Sequence, residues 1–346
     1  MSSGHAGIAF KCRIAAGCFQ APGCMMLVAH DVAESGCICK IGMNYYMRID
    51  PRYPMQPKKR LEQYRNFLLD LAAQHPNPTH GFFGPDSMAW RINRENVLGL
   101  GAMRALLLQI AHPKVAQGVL VHSNYRAKPF QRAYSTFKAQ QTIVFGTCDQ
   151  AIETLVRMYA RHLSVRGELP PNDRVGDRQY IATDSQLSFW VFATLIDTVF
   201  RTHTLLFQPM TQQEEKAFYE ESRLFATLMG IDHLLVPQTV SQFHLRMESM
   251  LASVEIHITP AAQEIASSLL RLPLSIFLPG NSIVAAGMLP KKLRDQLGLR
   301  WNTVTQLLFS LIITLVRTTR FILPPRLRST PAYWQALERT REASDR

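Results

Sequence analysis

The sequence predicts an all-α protein with a single multi-helix domain, and three observations carry that prediction. Apolar residues recur at spacings of three and four over most of residues 57–325. Period-two alternation, the mark of a half-buried strand, is rare. Capping and breaking residues fall between the periodic runs, where helices must start and stop. No internal repeat of 20–50 residues appears. The domain is therefore read as 57–325, between a flexible N-terminal tail (1–56) and a charged C-terminal tail (326–346).

The elements follow in order. PKKRLEQYRNFLLDLAAQH (57–75) is a first amphipathic helix, followed by a Pro/Gly/His-rich loop over 75–86. From Ser87 to about 125, Val97, Leu100, Met103, Leu106, Leu107 and Ile110 keep the helical period; Pro113 ends or bends that helix. Residues 129–145 form another helix, closed near Gly146. Thr147-Cys-Asp-Gln150 reads as a capping box opening the next one. That helix carries Ile152, Leu155, Val156, Tyr159 and His162 on one face and is expected to stop at Gly167. Loop residues 168–178 lead to helices near 183–206, 211–229, 237–254, 259–271, 291–298 and 302–322.

Composition narrows the function. With 47% hydrophobic and 18% charged residues in 346, the chain is neither disordered nor fibrous nor a disulfide scaffold. Five of six cysteines (Cys12, Cys18, Cys24, Cys37, Cys39) lie in the first 40 residues without C-x-x-C spacing, which argues against a zinc site. That segment reads as a tail, or as sequence upstream of a true start at Met43 or Met47. It has no uninterrupted apolar core for a secretory signal, so a reducing, cytoplasmic compartment is expected. The net charge is +12, with an excess at the two ends and a neutral centre over 67–290. A nucleic-acid binder would place its basic stripe on the folded core, so none is expected as a partner. Basic ends suit solvated termini, or peripheral contact with an anionic membrane. Two apolar windows were weighed as spans. Pro273, Pro279 and Gly280 interrupt 272–290, and the uncharged run 301–316 has only 16 residues between Arg300 and Arg317. A span needs about 20, so 301–316 reads as a buried core helix.

The motifs of phosphate-binding loops, dinucleotide folds, nucleophile elbows, zincins and di-iron bundles are all absent. Polar residues in apolar helices remain. His162 shares a face with Leu155, Val156 and Tyr159, so it should point inward, either as a hydrogen-bonded core residue or as a ligand to a haem iron. Arg132 and Thr136 share a helical face four residues apart. An inward arginine needs an anion, supplied by a structural carboxylate, a substrate or a propionate. Arg166 is equally ambiguous. Glu95 stands before an apolar helix, where it can complement the helix dipole.

The order of these pieces is similar to one known family. GPDSMAWRINRENVLGLGAMRALLLQIAHPKVAQGVLVHS (84–123), R-x-x-x-T at Arg132 and Thr136, FG at 145–146 and H-x-x-x-R-G at 162–167 come first. YIATDSQLSFWVFATLIDT (180–198), GI…VP (230–237) and LPKKLRDQLGL-x-W (289–301) follow. Together, over about 80–305, they resemble the catalytic domain shared by rubber oxygenase (latex clearing protein) and the ER-bound oxygenase of mycophenolic acid biosynthesis.

The resemblance implies a b-type haem in a partly globin-like fold, used with O₂ to cleave a double bond of an isoprenoid into carbonyl ends. It implies His162 as the proximal iron ligand, with Arg132 and Thr136 lining the haem cavity and Arg166 near the cofactor. Two positions depart from the family. Ser135 stands where rubber cleavers can carry a distal lysine. No acid lies between Glu95 and Arg132, where those enzymes place a catalytic glutamate; Glu95 is the remaining candidate. The substrate expected is accordingly a smaller isoprenoid or lipid-like apolar molecule rather than rubber. His112 and His122 follow the family's long helix, His112 as a structural residue or a distal ligand. The alternative function is a non-catalytic or membrane-peripheral binding protein that keeps the helical shell.

Overall fold

The computed structural model describes residues 56–75, 77–171, 177–271 and 281–344. Nearly all of the expected N-terminal tail, with its five cysteines, residues 272–280 of the interrupted window and part of the 168–178 loop lie outside them. The described chain is all-α apart from one small hairpin.

The helices are α1 (Pro57–Ala73), α2 (Met88–Asn93), α3 (Ala102–Ile110), α4 (Pro113–His122), α5 (Pro129–Phe145) and α6 (Cys148–His162). Strands β1 (Arg166–Glu168) and β2 (Gln179–Ile181) then pair antiparallel. Next come α7 (Ser185–Leu206), α8 (Gln212–Leu228), α9 (Val240–Ala252), α10 (Pro260–Leu270), α11 (Asn281–Met288) and α12 (Lys291–Gln296). The last are α13 (Thr303–Ile322), α14 (Pro325–Arg328) and α15 (Pro331–Ser344). Helix starts are written locally. Thr147 and Gln150, Thr211 and Glu214, and Thr239 and Gln242 form reciprocal capping boxes, and the Asp184 side chain accepts from the amides of Gln186 and Leu187.

The 22-residue α7 is the hub, packing on α3, α8, α9 and α13. Its Phe189, Trp190, Phe192, Ala193 and Ile196 enter the main core with Leu107, Leu108, Phe243 and Ile265. A second core lies between α1 and α6, where Tyr64, Phe67 and Leu68 meet Ile152, Leu155, Val156 and Tyr159. A buried ion pair ties the main core together. The Arg104 guanidinium reaches Asp197 Oδ2 at 2.5 Å, Thr198 Oγ1 at 2.7 Å and the Met288 carbonyl at 2.9 Å.

Four expectations change. The run from Ser87 to 125 does stop before Pro113 and restart there, as expected, but its first part is not one helix. The run breaks into α2, a 3₁₀ segment over Asn96–Gly101, α3 and α4. The cause is tertiary: Glu95 bridges to Ser329, the Thr330 amide donates to the Arg94 carbonyl at 2.8 Å, and Asn96 donates to the Leu327 carbonyl. Secondly, α6 ends at His162 rather than Gly167. Gly167 instead pairs with Tyr180 across the hairpin, where an added Cβ would sit 2.7 Å from the tyrosine oxygen. Thirdly, residues beyond 330 form α15, whose Ala336 is buried against Trp90, Val144 and Phe145, where a charged tail was expected. Finally, the run 301–316 belongs to a 20-residue helix lying mostly on the surface, not in the core. Only Ile313 and Val316 of α13 are buried.

Candidate functional site

Helices α5 and α6 pack on each other as a hairpin turned by Gly146 and Thr147 alone, so distance from the turn orders positions along both. Arg132 is 14 residues before Gly146 and His162 is 15 after Thr147. At about 1.5 Å per residue, both stand about 21–23 Å from the turn, at the open end of the hairpin. Burial changes along it. At the closed end Gln141, Ile143, Val144 and Phe145 are buried, as are Ala151, Ile152, Leu155 and Val156 opposite. Towards the open end of α5, Tyr134, Ser135, Thr136, Phe137 and Lys138 are all accessible.

His162 is the last residue of α6. The stripe it was expected to join is buried through Tyr159, whose ring lies 4.3 Å from that of Tyr64. The imidazole itself is accessible to solvent, contrary to the inward position expected. Even so, burial within the surrounding protein, aided by the charge of Arg161, lowers its pKa. The ring is therefore neutral at pH 7, the form that ligates a metal. No hydrogen-bond partner for it occurs among the described residues.

Arg132 is half-buried, and burial lowers its pKa as well. No carboxylate pairs with it among the described residues. A guanidinium held in that setting has capacity for an anion from outside the chain. The Thr136 hydroxyl donates to the Arg132 carbonyl at 3.0 Å, so its proton is committed and its lone pairs remain. Arg166 is exposed on β1 and donates to the Leu163 carbonyl at 3.0 Å, buttressing the turn that follows His162.

The other singled-out residues have structural partners. The Glu95 carboxylate lies among Arg320 at 3.2 Å, Arg94 at 3.7 Å and Arg328 at 3.9 Å, and its side chain is 4% exposed. His112 caps α4 through Nδ1, which accepts from the Lys114 amide. Burial, then the Lys114 charge, lowers its pKa to about 4. His122 Nε2 lies 3.2 Å from the Arg166 carbonyl and 3.3 Å from the Tyr180 hydroxyl, pinning the hairpin beneath α6. Among the described residues no group of three or more His, Cys, Asp or Glu side chains could hold a bare metal ion. The donor set is thus a lone imidazole, with the Arg132 guanidinium and the lone pairs of the Thr136 hydroxyl on the neighbouring helix, which suits a cofactor that brings its own equatorial ligands.

One further cleft, of about 580 Å³, opens at the closed end of the hairpin, between it and α15. Its wall includes Gln141, Asp149, Glu153, Arg157, Gln335 and Arg339. Phe145 and Ala332 add apolar surface to it, and it lies at the opposite end of the hairpin from His162. Sequence reasoning missed the lack of an acid facing Arg132. It also missed the pairing of Arg104 with Asp197 on another helix, because neither is visible in local spacing.

The family model described as ER-bound oxygenase mpaB/B'/Rubber oxygenase, catalytic domain, matches residues 90–318. That span begins at Trp90 of α2 and ends near the close of α13, enclosing both the α5–α6 hairpin and the hub helix. No curated protein and no solved structure matches the chain.

Proposed function

The chain belongs to the family of ER-bound and rubber oxygenase catalytic domains, and from that premise we propose a haem b-dependent oxygenase that acts with O₂ on an apolar, unsaturated, isoprenoid- or lipid-like substrate. One observation supports it above the others: His162 is neutral and accessible, Arg132 is a half-buried guanidinium equally far along the hairpin, and neither side chain has a partner among the described residues. His162 would hold the iron through a ring nitrogen, and Arg132 would hold a propionate. When bound, haem supplies the O₂ chemistry that no side chain here possesses. The chain's own part is positioning. The Tyr64–Tyr159 contact and the buried stripe on α6 fix the helix that ends in His162. Arg166 and the His122–Tyr180 contact fix the turn after it. Tyr134 and Phe137 offer accessible aromatic surface for an apolar substrate, and the Thr136 oxygen can accept a hydrogen bond beside it. Arg166 is proposed as a support for His162 and a second cation near the cofactor. We place the protein on the cytoplasmic side.

A second reading, a non-catalytic binding protein with the same shell, draws on Glu95. The one candidate for the family's catalytic acid has its carboxylate engaged by arginines.

The test is the visible spectrum of the purified protein with a pyridine haemochrome assay, beside His162→Ala and Arg132→Leu variants. The expected result is a Soret band at about one haem per chain, lost or shifted in His162→Ala and weakened in Arg132→Leu. A wild-type protein that stays haem-free after supplementation, while folded by circular dichroism, overturns the oxygenase reading. Haem in both variants at wild-type level and spectrum removes His162 and Arg132 from the site.

A further inference from the structure

Helix α13 is apolar on two opposite faces. One carries Phe309, Ile313 and Val316 and packs on Leu206 and on α11, where Gly287 lets the Phe309 ring come so close that an added Cβ would lie 2.4 Å away. The other carries Val304, Leu307, Leu308, Leu311, Leu315 and Ile322. Their spacings of three, four and seven keep them on one stripe turned about 180° from the packed face at 100° per residue. These six side chains are 40–80% exposed, and no described residue covers them. Phe321 in the last turn, and Leu323 and Leu327 past the helix end, extend the apolar surface.

The charged residues of this stretch of chain are of one sign. Residues 296–337 contain Arg300, Arg317, Arg320, Arg326 and Arg328 and no Asp or Glu. Arg320 and Arg328 turn back to Glu95 and Arg317 Nε donates to the Leu205 carbonyl on α7, while Arg300 and Arg326 are exposed just before and just after the helix. A second copy docking on this stripe would bring two such arginine rims together. An anionic bilayer supplies both what the stripe lacks, an apolar phase, and what the rim lacks, a counter-charge.

We infer that α13 lies in the plane of an anionic lipid surface, its outer leucine stripe in the acyl boundary and Arg300 and Arg326, at its two ends, among the headgroups. Although 20 residues would be long enough to cross a bilayer, the helix does not span one. Spanning would pull Ile313 and Val316 from their packing on α7 and place Arg317 within the hydrocarbon. The inference stands independently of the haem proposal, because its readout is partition onto lipid.

The experiment is co-sedimentation of the full chain with phosphatidylcholine vesicles, with and without about one third phosphatidylserine. The wild type is expected to bind the anionic vesicles. A Leu307→Asp/Leu311→Asp variant should bind at least about tenfold more weakly. Arg326→Glu should lose about fivefold or more on the anionic vesicles alone. Because these side chains are exposed, circular dichroism and melting should stay at wild type. Leu311→Ser is a milder second variant expected to fall between. Absence of wild-type binding, or equal binding by the double variant, overturns the inference. So does a lipid-free dimer in sedimentation velocity that Leu307→Asp/Leu311→Asp dissociates, since the occupant is then a second copy.

Discussion

Replacing Glu95 by Gln separates a structural from a chemical role for that residue. Its carboxylate, with the side chain 4% exposed, accepts from Arg320 Nε at 3.2 Å, and Arg94 and Arg328 stand at 3.7 and 3.9 Å. A charge-assisted hydrogen bond contributes about 1.5–3 kcal/mol. The two longer contacts involve guanidinium side chains 34% and 29% exposed, where solvent screening leaves about 0.5 kcal/mol each. The loss is therefore about 2–4 kcal/mol, which lowers Tm by about 5–10 °C in a domain of this size. The effect should also be local. The Glu95–Ser329 bridge and the Thr330 amide on the Arg94 carbonyl tie the C-terminal segment to the start of the 3₁₀ turn. Amide exchange at Ser329 and Thr330 should rise before exchange in α7. Differential scanning calorimetry and hydrogen exchange read both effects. A Tm change below about 1 °C with unchanged exchange would refute the ion-cluster argument. Turnover lost at unchanged Tm and unchanged haem content would assign Glu95 to the chemistry instead.

Other predictions concern the core and its response to acid. Arg104→Met leaves Asp197 half-buried without its partner, so it should cost about 3–5 kcal/mol in denaturant unfolding. Arg104→Met/Asp197→Leu should regain part of that, and a double variant worse than the single would count against the buried-pair account. His112 has a folded pKa of about 4 against 6.5 unfolded, so the unfolded state binds the proton first as pH falls. Its contribution is complete above pH 6.5 and disappears as pH drops towards 4, by at most about 3 kcal/mol. His112→Asn keeps a capping oxygen but cannot titrate, so its Tm should fall less between pH 6.5 and 4. Equal slopes for the two proteins would show that His112 is not the titrating group.

The limits of sequence reasoning follow physical lines. Helices set by local chemistry were legible nearly to the residue, including α5 at 129–145 and the Thr147–Gln150 capping box that opens α6. Capping and periodicity act over a few residues, so they survive in one dimension. The break in the first part of the 87–125 run was not legible, because the interactions that open it come from residues 327–330. The end of α6 escaped for a related reason: Gly167 matters for its approach to Tyr180, a contact made in the folded hairpin.

By itself, the sequence determined the all-α class, the family and the residue types at the site, since periodicity and motif order are properties of the chain. Tertiary structure decided which side of each helix meets protein. It left the neutral His162 accessible at the end of α6 and Arg132 half-buried without a carboxylate among the described residues. It also drew Glu95 into a cluster of arginines from distant segments. For α13, apolar residues on both faces read alike in one dimension as a core helix. Only packing showed that Ile313 and Val316 are inside and Leu307 and Leu311 are not. Hydrophobic burial has no direction of its own, so the choice of face belongs to whatever surface the rest of the fold presents.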